Sequence, residues 1–113
     1  MARNPAIDSG QGTSAAPAFQ VSRDADCLRL RGQLVFATAA QALERLIAIL
    51  PRDCASLVAD LGGLSNSDSA GLAALVQWRA EAYRQGTPLR LVKAPEGLRA
   101  LARLADLEAE LLS

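Results

Sequence analysis

Ser69 is the hydroxyl with the most to offer chemically, because Asp68 stands directly before it and an apolar, helix-like run follows. A serine becomes a nucleophile only when a base takes its proton. This chain contains no histidine, the commonest general base and metal ligand. Asp68 is the one base beside Ser69 in sequence, and an aspartate so placed activates a serine weakly. Gly62-Gly63 suggests a phosphate loop, but no Lys follows at the required spacing. Neither GxxxxGK[ST] nor GxGxxG occurs, so the pair reads as a plain loop. Cys27 and Cys54 make neither a metal spacing nor a disulfide framework, and read as free, buried thiols. Glu44, Glu81, Glu96, Glu108 and Glu110 read as solvating helix surfaces. These residues lead to the expectation of a non-enzymatic chain with no cofactor and no metal.

What positions Ser69 has to fit in one domain, since the chain has 113 residues. Half of them are hydrophobic and only 4% aromatic, a balance suited to helices packed on a sheet. Twelve basic and twelve acidic side chains give zero formal charge, without the one-sided basic field that nucleic acid or anionic lipid needs. No apolar run approaches the ~20 residues of a membrane span. Met1 to Ala18 carries no secretion-signal pattern. A cytoplasmic protein without direct membrane insertion is expected.

Residues 1–18, rich in Gly, Ser, Ala, Pro and Thr, read as a disordered tail, and residues 19–113 as the domain. Phe19 and Val21, then Leu28 and Leu30, alternate with polar neighbours, which predicts a hairpin turning at Arg23–Asp26. Thr38 and Gln41 fit a capping box, and Leu43, Leu46, Ile47 and Leu50 make the stripe of a first helix that Pro51 stops. Leu57–Ala59 lacks alternation and predicts a central strand covered on both faces, parallel to a neighbour. A polar loop, Ser65 to Ser69, then feeds a helix from about Ala70 to Gln85, with Gly86 as its C-cap. Leu89 and Leu91 mark a last strand. Pro95 opens a third helix striped by Leu98, Leu101, Ala102 and Ala105, and Leu107, Leu111 and Leu112 suggest a short closing one. The predicted order is β-β-α-β-α-β-α-α, an α/β fold with a mixed β-sheet and helices packed on it.

The strand ending in Asp60-Leu61, the glycine loop and Asp68-Ser69-Ala70-Gly71-Leu72 together resemble the STAS family, which includes anti-sigma-factor antagonists. Gly32-Gln33-Leu34 resembles the family's Gly-Glu-Leu. The likeness runs from Phe19 to about Leu112 and implies the STAS fold, with Ser69 exposed at a surface that recognises a protein. Two branches follow. Phe36–Ala39, Leu72–Trp78 and Pro95–Leu98 look more like the STAS subunit (MlaB-like) of Mla phospholipid transporters. That branch implies binding to a cytoplasmic ABC ATPase at the inner membrane, in support of outer-membrane lipid asymmetry. The alternative is an anti-sigma-factor antagonist that binds an anti-sigma serine kinase and is phosphorylated at Ser69. Val35 stands where antagonists more often carry an acid, which favours the first branch.

On a helical wheel Leu72, Leu75 and Ala82 turn toward the sheet, while Ala70, Ala73, Ala74, Gln77 and Glu81 turn away. The expected partner-binding set is therefore Ser69, Ala70, Ala73, Gln77 and Trp78. Trp78 lies at the border and fits either the core or an interface anchor. Arg79 falls near the inner arc, where only snorkelling accounts for it.

Overall fold

A computed structural model of the chain describes residues 18–51 and 56–112. The expectations for the tail up to Pro17 and for Cys54 lie outside these residues. Strand β1 (Gln20–Asp24) turns through Ala25 and Asp26 into β2 (Cys27–Leu34). Arg23 and Asp24 belong to the strand rather than the turn, because Ala25 at φ 56° reverses the chain within two residues. Then follow α1 (Phe36–Ile49), β3 (Leu57–Ser67), α2 (Ser69–Arg84) and β4 (Leu89–Val92). Helices α3 (Glu96–Leu104) and α4 (Glu108–Leu111) close the chain.

The sheet runs β1-β2-β3-β4, with β1 antiparallel to β2 and the other pairs parallel. Each parallel step moves one strand over in the same direction. Crossovers are right-handed, so α1 and α2 fall on the same face of the sheet. That face buries Leu28, Leu30, Leu57, Ala59, Leu61, Leu89 and Leu91 against the helices. Among the described residues no helix covers the other face, where Arg29, Arg31 and Arg90 are exposed. The expectation that β3 is central and parallel holds. The expectation that both its faces are covered does not, because the two crossovers share a side.

Strand β3 is also far longer than Leu57–Ala59. It runs through both glycines and most of the polar segment read as a loop. Arg29 pairs with Asp60 and Arg31 with Gly63, then Gly32 with Leu64 and Gln33 with Asn66, so β3 carries an extra residue at each of two irregularities. The first re-phases the strand and turns Leu64 into the core. Gly63 is required there, since a Cβ would stand 2.7 Å from the Leu30 carbonyl oxygen.

Helix α1 starts two residues before Thr38. Thr38 is its third residue, and its Oγ1 accepts the Val35 N–H at 3.1 Å and donates to the Gln33 carbonyl at 2.9 Å. The Thr38–Gln41 box is thus replaced, and the unpaired N–H of Phe36 is met from another element, as described below. The buried stripe is Ala42, Leu46 and Leu50, with Leu43 and Ile49 at its margin and Ile47 exposed. It is rotated from the expected one because α1 packs on α2 as well as on the sheet. Trp78, fully buried, donates its Nε1–H to the Leu46 carbonyl at 2.9 Å and fixes that pairing. Ala74, expected on the outer face of α2, is buried as well. Arg79 stacks on Tyr83, 4.8 Å from the ring centroid. Gly86 caps α2 at φ 81°.

In α3, Leu98 and Ala102 are buried, whereas Ala105 is exposed as the C-cap and Pro95 stands at the N-cap. Glu108, expected only to solvate its helix, is held by Arg103 and Arg99, which tie α4 to α3. Cys27 is half-buried rather than buried.

Two glycines test the packing. A Cβ on Gly71 would lie 1.9 Å from the Leu34 carbonyl oxygen, whereas one on Gly97 would meet nothing within 4 Å. Gly71→Ala should destabilise the domain by roughly 1–3 kcal/mol or more, because α2 must move off the end of β2. Gly97→Ala should stabilise it by roughly 0.5–1 kcal/mol through helix propensity. Urea melts of both variants against wild type check the opposite signs.

Candidate functional site

Two helices begin side by side at the C-terminal ends of β2 and β3, and one carboxylate joins them. Asp68 is the N-cap of α2, with extended backbone at φ −128°, and its Oδ1 accepts the Gly71 N–H at 3.0 Å. Its Oδ2 accepts the Phe36 N–H, from the first turn of α1, at 3.0 Å. The first N–H groups of a helix have no partner within the helix, and each helix start carries partial positive charge. A single anion therefore answers both. The Phe36 N–H first, and the Gly71 N–H next, hold the Asp68 carboxyl below the usual carboxylate range. With both oxygens occupied and its proton affinity lowered, Asp68 is poorly suited to deprotonating Ser69.

Gly71 makes this arrangement possible. Without a side chain, the first turn of α2 sits directly on the Leu34 carbonyl and brings Asp68 within reach of Phe36. Asp68 caps α2, which leaves Ser69 as the exposed first residue of the helix.

The remaining expected site residues divide. Ala73 and Gln77 are exposed on the outer side of α2 and Ala70 is half-buried, so these three continue the strip that starts at Ser69. Trp78 does not belong to it. Its ring is fully buried and its one polar atom is satisfied by Leu46, so it cannot anchor a partner. Sequence reasoning missed Phe36, which is 83% exposed at the start of α1. The available signal was an aromatic residue well off the Ala42–Leu46 stripe, directly before a helix. Asp68 places the backbone of Phe36 next to α2, so Phe36 and Ser69 are the exposed first residues of two adjacent helix starts. Among the described residues no group of His, Cys, Asp and Glu could hold a metal ion. No helix among them is long and apolar enough to cross a membrane. The site is a surface of mixed polarity.

The family described as Mlab, STAS domain, matches residues 18–113. The anti-sigma factor antagonist SpoIIAA, in its unphosphorylated form, is similar in structure at TM-score 0.65 and 17% identity, over 84% of this chain and 86% of that one. An anti-sigma-factor antagonist (STAS) domain protein from Planctomyces limnophilus is similar at TM-score 0.63 and 12% identity, over 85% and 88% of the two chains. An anti-sigma factor antagonist from Mycobacterium paratuberculosis is similar at TM-score 0.59 and 22% identity, over 83% and 81%. No curated protein matches the sequence.

The Asp68 bridge has a pH signature. Its folded-state pKa is lowered, so the stability it contributes is full above the unfolded value of about 3.9 and is lost as pH falls through the folded value. Asp68→Asn should melt below wild type at neutral pH. The gap between the two melting temperatures should close as the pH is lowered through that acidic range. A gap that stays constant with pH would show that the charge of Asp68 is not what joins the helices.

Proposed function

From the premise that the chain belongs to the STAS domain family, we propose that it is a non-enzymatic accessory subunit that binds the cytoplasmic ABC ATPase of an Mla-type phospholipid transport system. In this reading it supports assembly and activity of a complex that maintains outer-membrane lipid asymmetry. The protein is cytoplasmic and peripheral to the inner membrane through its partner. The observation that carries the reading is the surface at the paired helix starts, where the strip of Ser69, Ala70, Ala73 and Gln77 begins next to the start of α1 and its exposed Phe36. The family's own description, Mlab, supports the transporter branch over others.

Small residues on α2 let a partner backbone approach closely, while Phe36 offers apolar area. Burying a phenylalanine side chain contributes about 1.5–3 kcal/mol. A hydroxyl at Ser69 hydrogen-bonds across such an interface at little desolvation cost. A charge there must be stripped of water beside Asp68, and an unpaired interfacial charge costs about 2–5 kcal/mol.

One observation favours a second reading. The structural likeness to SpoIIAA pairs this fold with a protein whose name records an unphosphorylated form. In that reading the chain is an anti-sigma-factor antagonist that binds a serine kinase and is released by phosphorylation of Ser69. Val35, in place of an acid, counts against it.

Pull-downs separate the readings, with the ABC ATPase of an Mla-type system and an anti-sigma serine kinase as alternative baits. Wild type should be captured by the ATPase. Ser69→Asp keeps an acceptable helix start, so it should fold and yet bind roughly 30- to 4,000-fold more weakly. Phe36→Ala should weaken capture roughly 10- to 150-fold with an unchanged melting temperature. Capture by the kinase alone, with phosphate transferred to Ser69, would establish the second reading. Undiminished ATPase capture of both folded variants would place the interface elsewhere.

A further inference from the structure

The open face of the sheet carries a charge that the zero total conceals. Rows of paired residues cross it: Ser22, Arg29, Asp60 and Val92 in one, and Gln20, Arg31 and Gly63 in the next, with Lys93 directly after β4. Arg90, on the row below, is exposed on the same face. Four cations (Arg29, Arg31, Arg90, Lys93) thus face two carboxylates, Asp24 and Asp60. Their ion pairs with these cations are long, Asp24 at 3.8 Å from Arg29 and Asp60 at 3.8 Å from Lys93. Among the described residues the guanidinium of Arg31 has no hydrogen-bond or ion-pair partner.

A hollow of about 470 Å³ opens among these groups, lined by Arg29, Arg31, Asp60, Gly62, Gly63 and Lys93. Its size suits a small ligand. The glycine pair makes the hollow, because neither residue projects a side chain between the cations of the flanking strands. Strands lie about 4.8 Å apart, so Arg31 and Lys93 rise roughly 10 Å from each other on either side of β3. Two long cationic side chains over that gap can close on one anion. Asp60 is the opposing charge in the hollow. Its Oδ1 accepts the Gly62 N–H at 2.8 Å and its Oδ2 faces Lys93, which leaves three lining cations to one carboxylate.

We propose that this glycine-floored hollow binds a phosphate group, carried by a soluble phosphate ester or by a lipid headgroup. Arg31 supplies a bidentate fork and Lys93 and Arg29 supply point charges. The glycine pair in the sequence has no lysine of its own at phosphate-loop spacing, and neighbouring strands provide the cations instead. None of these residues belongs to the Ser69 surface, so the site stands or falls independently of the docking partner.

The test is an NMR titration of the full chain with inorganic pyrophosphate, paired with co-sedimentation on vesicles of phosphatidylglycerol mixed into phosphatidylcholine, against phosphatidylcholine alone. The expected result is saturable shifts of the Arg31, Gly62, Gly63 and Lys93 amides, or retention on the anionic vesicles. Either should be weakened roughly 10-fold or more by the exposed-site double variant Arg31→Gln/Lys93→Gln, with an unchanged melting temperature. Arg84→Gln, on helix α2, should leave binding as it is. Response to pyrophosphate alone assigns the phosphate to a soluble ligand, and response to vesicles alone assigns it to a headgroup. No saturable response in either arm, or equal response from the double variant, overturns the proposal.

Discussion

The carboxylate of Asp68 accepts one backbone N–H from the start of each of two helices, and the side-by-side placement of those helix starts depends on that bridge. Each helix start has unpaired donors and partial positive charge, and placing two such ends side by side is unfavourable unless something negative lies between them. A neutral cap would satisfy one helix and leave the other to water. The anion also sets the spacing, since both N–H groups lie 3.0 Å from its oxygens. Gly71 is the steric half of the same device, because any side chain there would collide with the Leu34 carbonyl and push α2 out of reach.

Lower down, the same two helices are joined by Trp78. Its indole fills the space between α1, α2 and the sheet, and its N–H meets the Leu46 carbonyl inside the core. A buried aromatic of this size contributes a large share of the apolar area removed from water. The pairing of α1 and α2 is thus held electrostatically at one end and by packing further along. What is left outside, Ser69 with its small neighbours and the ring of Phe36, is a rigid surface presented by two mutually braced elements. Such rigidity favours protein recognition, because little conformational entropy remains to be lost on docking.

Strand β3 has a second consequence for function. Its extra residues let one strand feed Leu61 and then Leu64 into the core while Gly62 and Gly63 lie exposed between them. Helices α1 and α2 lie on one face because both crossovers turn the same way, so the bulged glycines open onto the face that no described helix covers, among arginines. Chain topology, rather than any local motif, concentrates the cations there.

Much was legible in the residues alone. Alternation at Phe19–Leu30, the helical stripes and the Gly and Pro stops determine the order of the elements among the described residues, because each rests on contacts between near neighbours in sequence. The exposure of Ser69 at a helix start follows from the same local rules, together with the likeness of Asp68–Leu72 to a known family. Other features rest on groups far apart in the chain. The early start of α1 needs an oxygen 32 residues away, and Trp78 becomes core through a carbonyl 32 residues back. Ala74 is buried because α1 lies over it, and the polar segment before Ser69 is strand because β2 supplies its partners. Phe36 and the basic hollow complete the list. A side chain's exposure, and the sum of charges on one face, exist only once distant strands and helices are brought together, and no window of local sequence contains that information.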